Sequence, residues 1–290
     1  MAKTRELVRR RKAITNIRKI TRTMELIATA RFKQALDRAT EAAPFTRKIA
    51  ELAADLSASA GDVKHPLLEV HAEVKNTLLL VISSNRGLCG GYNAGILRHA
   101  HARMREIQAK GETLHLELSG KRAITAFRYQ GIKADQSYTN FEDKPKFAEV
   151  NEIAERYIRE YENSTIDRVE VAYVKFFNAS QQAPVVETLL PLSTVSDKKA
   201  KPGPAIEYEF MPAAAEILEQ IVPMSFKVRL FKCFLDAAVS EQIARRVAMK
   251  AATEAGNDMI KELSRQYNRA RQAQITKEIA EIVGGAEALK

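Results

Sequence analysis

Several residue types are scarce in this chain of 290 residues. It has no Trp, 7% aromatic residues and two cysteines, Cys89 and Cys233. Two cysteines give neither a disulfide framework nor the spacing of a metal site, and they fit a reducing compartment. Because no long uninterrupted apolar run is present, we expect no transmembrane helix. The basic N-terminus also lacks the apolar stretch of a secretory signal.

Acidic residues are scarce at one end of the chain. The formal net charge is +10, and residues 1–48 hold fourteen Lys and Arg against four Asp and Glu, whereas the remainder is balanced. The run Arg9–Lys12, with Arg18, Lys19 and Arg22, could face nucleic acid, an anionic membrane or an acidic protein. No aromatic residue precedes Phe32 and no recognition motif is present. A solvated helix face is therefore the simplest interpretation, and a nucleic-acid-binding coiled coil is an open alternative.

Proline is absent from residues 240–289, and Gly256 is the only glycine there before Gly284. Apolar residues recur three and four apart, which is typical of a helix with a coiled-coil seam. A helix of fifty residues is about 75 Å long, so it must be paired or enclosed. We expect its buried positions to be Ile243, Val247, Ala251, Ile260, Leu263, Tyr267, Ala270, Ile275, Ile279 and Ile282.

A second helical pattern covers residues 3 to about 58. Pro44 predicts a kink or a break in it. Two long amphipathic helices at opposite ends of the chain predict an antiparallel coiled coil; two independent surface helices on a globular core are the alternative. The apolar stripe of this first helix comprises Ile17, Ile20, Met24 and Ile27, with Leu7 and Ile14 before it and Ala28, Ala35, Leu36 and Ala39 after it.

Strands alternate with helices in the middle of the chain, which predicts a mainly parallel, Rossmann-like α/β layer with an antiparallel edge. Strands are expected at 77–82, 113–118, 168–177 and 185–190, the last two as a hairpin, and helices at 94–108, 122–129 and 147–162. The composition of residues 198–204 indicates a linker, after which the helical pattern resumes from Ala213, with Pro223 as an interruption. The predicted organisation is thus an N-terminal helix over 1–60, an α/β domain over 74–197 and a C-terminal helix over 205–288.

A glycine-rich turn follows the first strand and contains Gly87, Cys89, Gly90 and Gly91. Its spacing fits neither GxxxxGK[ST] nor GxGxxG, so a structural turn is favoured over a phosphate loop. An enzyme that binds a nucleotide or phosphate here is the second alternative. Cys89 could act as a nucleophile with a histidine partner, although a small buried thiol is commoner. The sequence predicts no catalytic residues, no cofactor and no metal site.

Three stretches of the chain have a distinctive sequence: residues 20–25 with Ala28, residues 86–91 with Asn93, and the C-terminal residues 240–242, 247–253, 267–276 and 281–286. These stretches resemble the gamma subunits of the F-type ATP synthases. The resemblance covers the whole chain, and the C-terminal match is the most specific. Asn85 stands where the family usually has Asp, and Tyr92 where it usually has Leu; these departures bear on packing and on contacts with a neighbouring rotor subunit.

This resemblance implies a central rotor shaft that itself makes and breaks no covalent bond. The coiled coil would thread a hexamer of alternating alpha and beta subunits, and the α/β domain would lie near the epsilon subunit and the membrane ring of c subunits. Proton flow would turn the ring and the shaft, driving the catalytic beta subunits through different nucleotide affinities. Rotor–stator contacts are implied at Met24, beside acidic loops of beta, and at Arg271, Gln272 and Thr276.

The same resemblance implies a peripheral location on the cytoplasmic face of the bacterial inner membrane. The membrane would be reached only through the complex, and nucleic acid would not be a partner. No cofactor is implied.

Overall fold

The computed structural model describes residues 2–59, 65–71, 73–141, 144–192 and 214–287. The expected linker, residues 198–204, lies outside the described residues. The chain divides into two compact units. We call Met1–Thr29 with Arg245–Lys290 the helix-pair unit, and Ala30–Ala244 the sheet unit.

The predicted strands and helices are all present, and one further strand, β3, was not predicted. β5 begins at Gln181 rather than at Val185. The elements in chain order are α1 (Ala2–Ser59), β1 (Asn76–Ile82), α2 (Tyr92–Ala109), β2 (Thr113–Ser119), α3 (Lys121–Tyr129), β3 (Gln136–Tyr138), α4 (Phe147–Glu162), β4 (Arg168–Asn178), β5 (Gln181–Leu190) and α5 (Ala214–Glu287).

Neither proline inside the long helices ends its helix. α1 continues through Pro44 and α5 through Pro223, so the predicted interruption at Pro223 is wrong. A proline inside a helix costs about 3 kcal/mol because it removes a backbone hydrogen bond and crowds the preceding turn. Around Pro223 this cost is offset by burial, since Val222 and Phe226 are both fully buried in the core.

The sheet has five strands in the order β3-β2-β1-β4-β5. β1, β2, β3 and β4 run parallel, and β5 forms an antiparallel hairpin with β4. The predicted parallel layer with an antiparallel edge is therefore confirmed. β1 lies at the centre and is buried on both faces, which accounts for its uninterrupted apolar sequence.

Alternate residues of β1 enter the two cores of the sheet unit. Leu78 and Leu80 pack with residues of α4 and α5 on one face of the sheet. Leu79 and Val81 pack with residues of α2 and α3 on the other face. The sheet unit is thus a three-layer sandwich, in which α5 forms part of one outer layer.

The buried carboxylate of Glu117 links α4 to the sheet through hydrogen bonds. Arg156 Nη2 donates to Glu117 Oε1 at 2.7 Å, and the hydroxyl groups of Tyr138 and Tyr157 donate to Glu117 Oε2 at 2.8 and 2.6 Å. These donors satisfy a charge that burial alone would strongly disfavour. They join β2, β3 and α4.

α1 and α5 also meet inside the sheet unit. Ala35 on α1 clusters with Val239 and Ile243 on α5, and Phe32 and Phe176 pack against this cluster. Small and branched apolar side chains at the contact agree with the predicted coiled-coil packing.

Candidate functional site

The two long helices pair antiparallel in the helix-pair unit. Thr4 contacts Gln274, and Thr21 contacts Thr253, so residue numbers rise along one helix as they fall along the other. A subset of the buried and half-buried positions is spaced alternately three and four apart, except for a step of seven between Thr21 and Ala28. We call them the seam: Thr4, Leu7, Arg11, Ile14, Arg18, Thr21 and Ala28 on α1, and Met249, Thr253, Gly256, Ile260, Leu263, Tyr267, Ala270 and Gln274 on α5.

Polar side chains contact each other at several points along the seam. Thr253 Oγ1 donates to Thr21 Oγ1 at 2.9 Å, and Arg18 Nη1 donates to Asn257 Oδ1 at 3.1 Å. The guanidinium of Arg11 lies over the ring of Tyr267, 5.4 Å from its centre. Such contacts specify register, and each hydrogen bond adds only about 1 kcal/mol.

Gly256 lets the helix backbones approach closely. A Cβ atom at this position would lie 3.3 Å from Cβ of Arg18. Glycine inside a helix costs about 1 kcal/mol relative to alanine. We therefore attribute Gly256 to close packing of the two helices.

Large apolar side chains point outward from the helix pair. Ile20 is 60% exposed and Ile282 is 72% exposed. Ile275, Ile279 and Ile282 are four and three residues apart, so they share one face of α5, and an exposed apolar face of this kind is typical of a binding surface. We call these residues the outer stripe: Ile17, Ile20, Leu26 and Ile27 on α1, and Val247, Met259, Ile275, Ile279, Ile282 and Val283 on α5.

The outer stripe corrects part of the predicted seam. Ile17, Ile20 and Ile27 were expected inside, as were Val247, Ile275, Ile279 and Ile282, with Ala251 beside them, but all are exposed. The polar and small residues Thr21, Thr253 and Gly256 occupy the contact instead, because they allow hydrogen bonding and close approach.

The predicted rotor–stator residues lie at two levels of the helix pair. Arg271, Gln272 and Thr276 are exposed on α5, where Thr276 Oγ1 donates to the carbonyl of Gln272 at 3.0 Å. Met24 is half-buried on α1. Because Thr21 opposes Thr253, Met24 lies at the level of residues near 250 and not beside Arg271.

A groove of about 660 Å³ runs beside Met24 within the helix-pair unit. Arg22 Nη1 donates to Glu25 Oε1 at 2.9 Å, while Glu25 Oε2 is buried without a hydrogen-bond partner among the described residues. Cations outnumber carboxylates in the lining, so the groove favours an acidic partner. We call it the basic groove; it is lined by Arg18, Lys19, Arg22, Thr23, Glu25, Lys250, Thr253, Glu254 and Asn257.

The glycine-rich turn after β1 packs against the start of α3. A Cβ atom at Gly87 would lie 2.5 Å from the guanidinium of Arg122. Gly90 has a φ of 56°, in the left-handed region that glycine adopts readily. Gly91 precedes α2 as its N-cap residue. The geometry is that of a tight strand-to-helix connection.

Cys89 is buried within this turn. Asn93 Nδ2 donates to its Sγ atom at 3.1 Å, and Ser84 Oγ lies 3.7 Å from Sγ. Neither neighbour is a base that would activate a thiol. Cys233 is also buried, and burial raises the pKa of its thiol to about 12.

α5 packs directly against the beginning of α2 in the sheet unit. The hydroxyl of Tyr92 donates to the backbone carbonyl of Ala237 at 3.0 Å. This contact lies beside the carboxyl end of β1, where open α/β sheets commonly bind ligands. Tyr92, one of the departures from the family pattern, thus ties the central turn to α5.

No cluster of three His, Cys, Asp or Glu side chains suited to a metal ion occurs among the described residues. None of the described helices combines the length and apolar character needed to span a membrane.

The fold and the paired helices define a class of protein, which comparison with known families identifies. The family model for ATP synthase, ATP-synt, matches residues 3–289. The ATP synthase gamma chain of Rhodopirellula baltica is 52% identical over 295 residues, and the match covers 100% of both chains. The gamma chain of Leptospira biflexa is 41% identical, again over 100% of both. The chain therefore belongs to the ATP synthase gamma-chain family.

Solved structures share the fold. A chain in the mitochondrial ATP synthase of Euglena gracilis, determined with OSCP, F1 and c-ring, has a TM-score of 0.65 at 16% identity, covering 99% of this chain and 95% of that one. A chain of the central stalk and c-ring structure from Tetrahymena thermophila has a TM-score of 0.57 at 20% identity, covering 80% and 99%. The predicted combination of paired terminal helices and an α/β sheet is thereby confirmed.

Proposed function

We propose that the chain is the central rotor shaft that couples rotation of a c-ring to conformational cycling of catalytic beta subunits. The observation that carries this proposal is the outer stripe of the helix-pair unit, whose large apolar side chains stay exposed although the seam already joins the two helices through apolar contacts and hydrogen bonds. Burying one large aliphatic side chain contributes about 1.5–3 kcal/mol. An outer stripe of this kind is therefore stabilised when a partner encloses both helices.

The shaft's partners follow from the same surfaces. Alpha and beta subunits would surround the outer stripe, and the basic groove beside Met24 would face acidic loops of beta. Arg271, Gln272 and Thr276 would exchange hydrogen bonds with beta as the shaft turns, since each is exposed and each such bond contributes only about 1 kcal/mol. The epsilon subunit and c-ring would contact the sheet unit.

The chain itself would catalyse no reaction, and Gly87, Cys89, Gly90 and Gly91 would serve as a structural turn. The buried thiol of Cys89 contacts Asn93 and Ser84, which supports this role. The complex would sit at the cytoplasmic face of a bacterial inner membrane, which the chain would reach only through other subunits.

Reconstitution tests the proposal. The purified chain should hydrolyse no ATP alone, and ATPase activity should increase when it is combined with alpha and beta subunits. A bead attached to an exposed cysteine at Lys110→Cys should then rotate during hydrolysis. Nucleotide turnover by the chain alone, or an assembled complex whose bead does not rotate while ATP is hydrolysed, would contradict it.

Two charge-changing variants distinguish loss of the apolar contact at the outer stripe from a general effect of added negative charge. Ile20→Glu combined with Ile279→Glu should weaken assembly with alpha and beta subunits by at least about tenfold, because two carboxylates would enter an apolar contact. Lys261→Glu, on an exposed polar position of α5, should assemble normally. Equal loss in both would show that the outer stripe is not the contact.

A further inference from the structure

A second recognition surface lies in the sheet unit, at the sheet edge opposite the β4–β5 hairpin. β3 is three residues long and occupies this edge, with β2 on its inner side. No strand pairs with the outer side of β3 among the described residues. An unpaired edge offers backbone donors and acceptors to an added strand.

A groove of about 330 Å³ lies between this edge strand and α3. Its floor is apolar and consists of Leu118, Ile124, Ile132 and Ala134. Ser137, at the middle of β3, is exposed and lines the groove. Because serine is small, the space beside the edge strand stays open where a larger side chain would fill it.

The rim of the groove is positive. Arg128 and Lys133 are exposed and line it, and none of the described acidic side chains does. The nearby carboxylate of Asp135 does not line the groove but binds β2, where its Oδ2 accepts a hydrogen bond from the backbone N–H of Leu116 at 2.9 Å. Tyr129 beside Arg128 is 93% exposed and adds an aromatic surface outside the rim.

We propose that this edge groove, formed by β3, Arg128 and Lys133 over the apolar floor, binds an extended segment of a partner protein with alternating apolar and acidic side chains. The segment would pair with β3 through its backbone. Its apolar side chains would enter the groove, and its carboxylates would face the two cations. A strand is favoured over a membrane surface because the cations flank a groove and a strand edge rather than a flat patch.

Fluorescence anisotropy with the full chain tests the proposal. The probe is a labelled heptapeptide of alternating Glu and Val; one control peptide has Pro at its centre, and the other replaces Glu by Lys. The Glu–Val peptide should bind, with protection of the Ser137 amide from hydrogen exchange, and both controls should bind at least about tenfold more weakly. Absence of binding, or equal binding of the Pro peptide, would overturn the proposal.

Variants locate the site on the chain. Ser137→Phe, which fills the groove and suits a strand, and the pair Arg128→Glu with Lys133→Glu should each weaken binding about tenfold. The control pair Arg98→Glu with Arg105→Glu, exposed on α2, should bind nearly as the unaltered chain does. An equal loss of peptide binding in the control pair would show a general effect of charge and would overturn the proposal.

Sedimentation with anionic phospholipid vesicles tests a lipid partner. If the unaltered chain sediments with the vesicles, the Arg128 and Lys133 pair does not, and no peptide binds, the surface belongs to lipid and the proposal is overturned.

Discussion

The hydroxyl groups of Thr21 and Thr253 meet across the seam at 2.9 Å. Thr21 Oγ1 in turn donates a hydrogen bond to the carbonyl of Arg18 at 3.0 Å, and Thr253 Oγ1 also lies 2.8 Å from the carbonyl of Met249. The contact thus ends in a helix backbone acceptor and leaves no hydroxyl hydrogen unpaired. It sets the register of the two helices at a point close to the basic groove.

Replacing only one threonine of this pair should be worse than replacing both. Thr253→Val removes the donor and leaves the Thr21 oxygen facing a methyl group, which should cost about 1 kcal/mol. The double variant with Thr21→Val should recover part of that loss because apolar groups of equal shape then meet. Hydrogen exchange of amides in residues 14–28 measures the opening free energy. Strict additivity of the two single losses would show that the hydroxyl groups do not interact.

Gly256→Leu should separate the helices of the helix-pair unit. The new side chain would begin 3.3 Å from Cβ of Arg18 and would have to displace α1. We expect a loss of about 1–3 kcal/mol in the opening free energy, as for other overpacked contacts. Gly284→Leu is the control, since no atom lies within 4 Å of a Cβ at that position. Because leucine favours the helix more than glycine does, the control should lose no stability, and a loss of equal size in both variants would show that packing against Arg18 is not the cause.

Met24→Lys should impair coupling more than folding. It adds a further cation beside the basic groove, and the shaft would then hold the acidic loops of beta too tightly or at the wrong angle. ATP-driven proton pumping should fall several-fold relative to ATP hydrolysis in membrane vesicles, whereas Met24→Leu should behave as the unaltered chain. Normal pumping by the lysine variant would place the beta contact elsewhere on the shaft.

The sheet unit should become less stable as the pH rises, because the buried carboxyl group of Asp236 then loses its proton. Burial raises the pKa of this carboxyl from 3.8 to about 6; the nearby Glu187 raises it further, and Lys232 and Lys175 act in the opposite direction. Between these two values the folded chain holds a proton that the unfolded chain has lost, so unfolding free energy falls from about pH 4 to pH 6 and is then constant with respect to this group. The difference is up to about 3 kcal/mol.

Asp236→Asn should remove that slope. Urea unfolding, followed by the circular dichroism of the full chain at several pH values, compares the variant with the unaltered protein. Glu152→Gln, at an exposed position of α4, is the control. A slope that persists unchanged in Asp236→Asn would assign the pH dependence to another buried group.

The pattern of apolar residues predicted most elements of the sheet unit because these residues face one or both of its two cores. The run at 77–82 has no polar residue after Thr77, as expected of a central strand buried on both faces. β3 was not predicted because its residues, Gln136, Ser137 and Tyr138, do not alternate between apolar and polar. Its position depends on Tyr138, whose hydroxyl reaches the buried carboxylate of Glu117, a contact that the local sequence does not reveal.

The same rule misplaced part of the helix seam. Periodicity assigns apolar residues to the inside, but Ile20 and Ile282 face outward while Thr21 and Thr253 lie within. A chain that contacts other subunits on its outer surface has two sets of contacts, and sequence spacing alone does not tell them apart. Arg271, Gln272 and Thr276 were predicted from family resemblance, and their exposure is that of an ordinary solvated helix.

The spacing of the seam residues also has a mechanical consequence. Seven residues fall short of two full turns of a straight helix, so two helices that stay in contact along such a repeat wind around each other with a left-handed sense. Twist applied in that sense tightens the winding and brings Gly256 closer to Arg18, at a contact where a Cβ atom would already be crowded. The opposite twist loosens the winding and stretches the hydrogen bonds instead. We therefore expect different contacts to resist torque in the two directions of rotation.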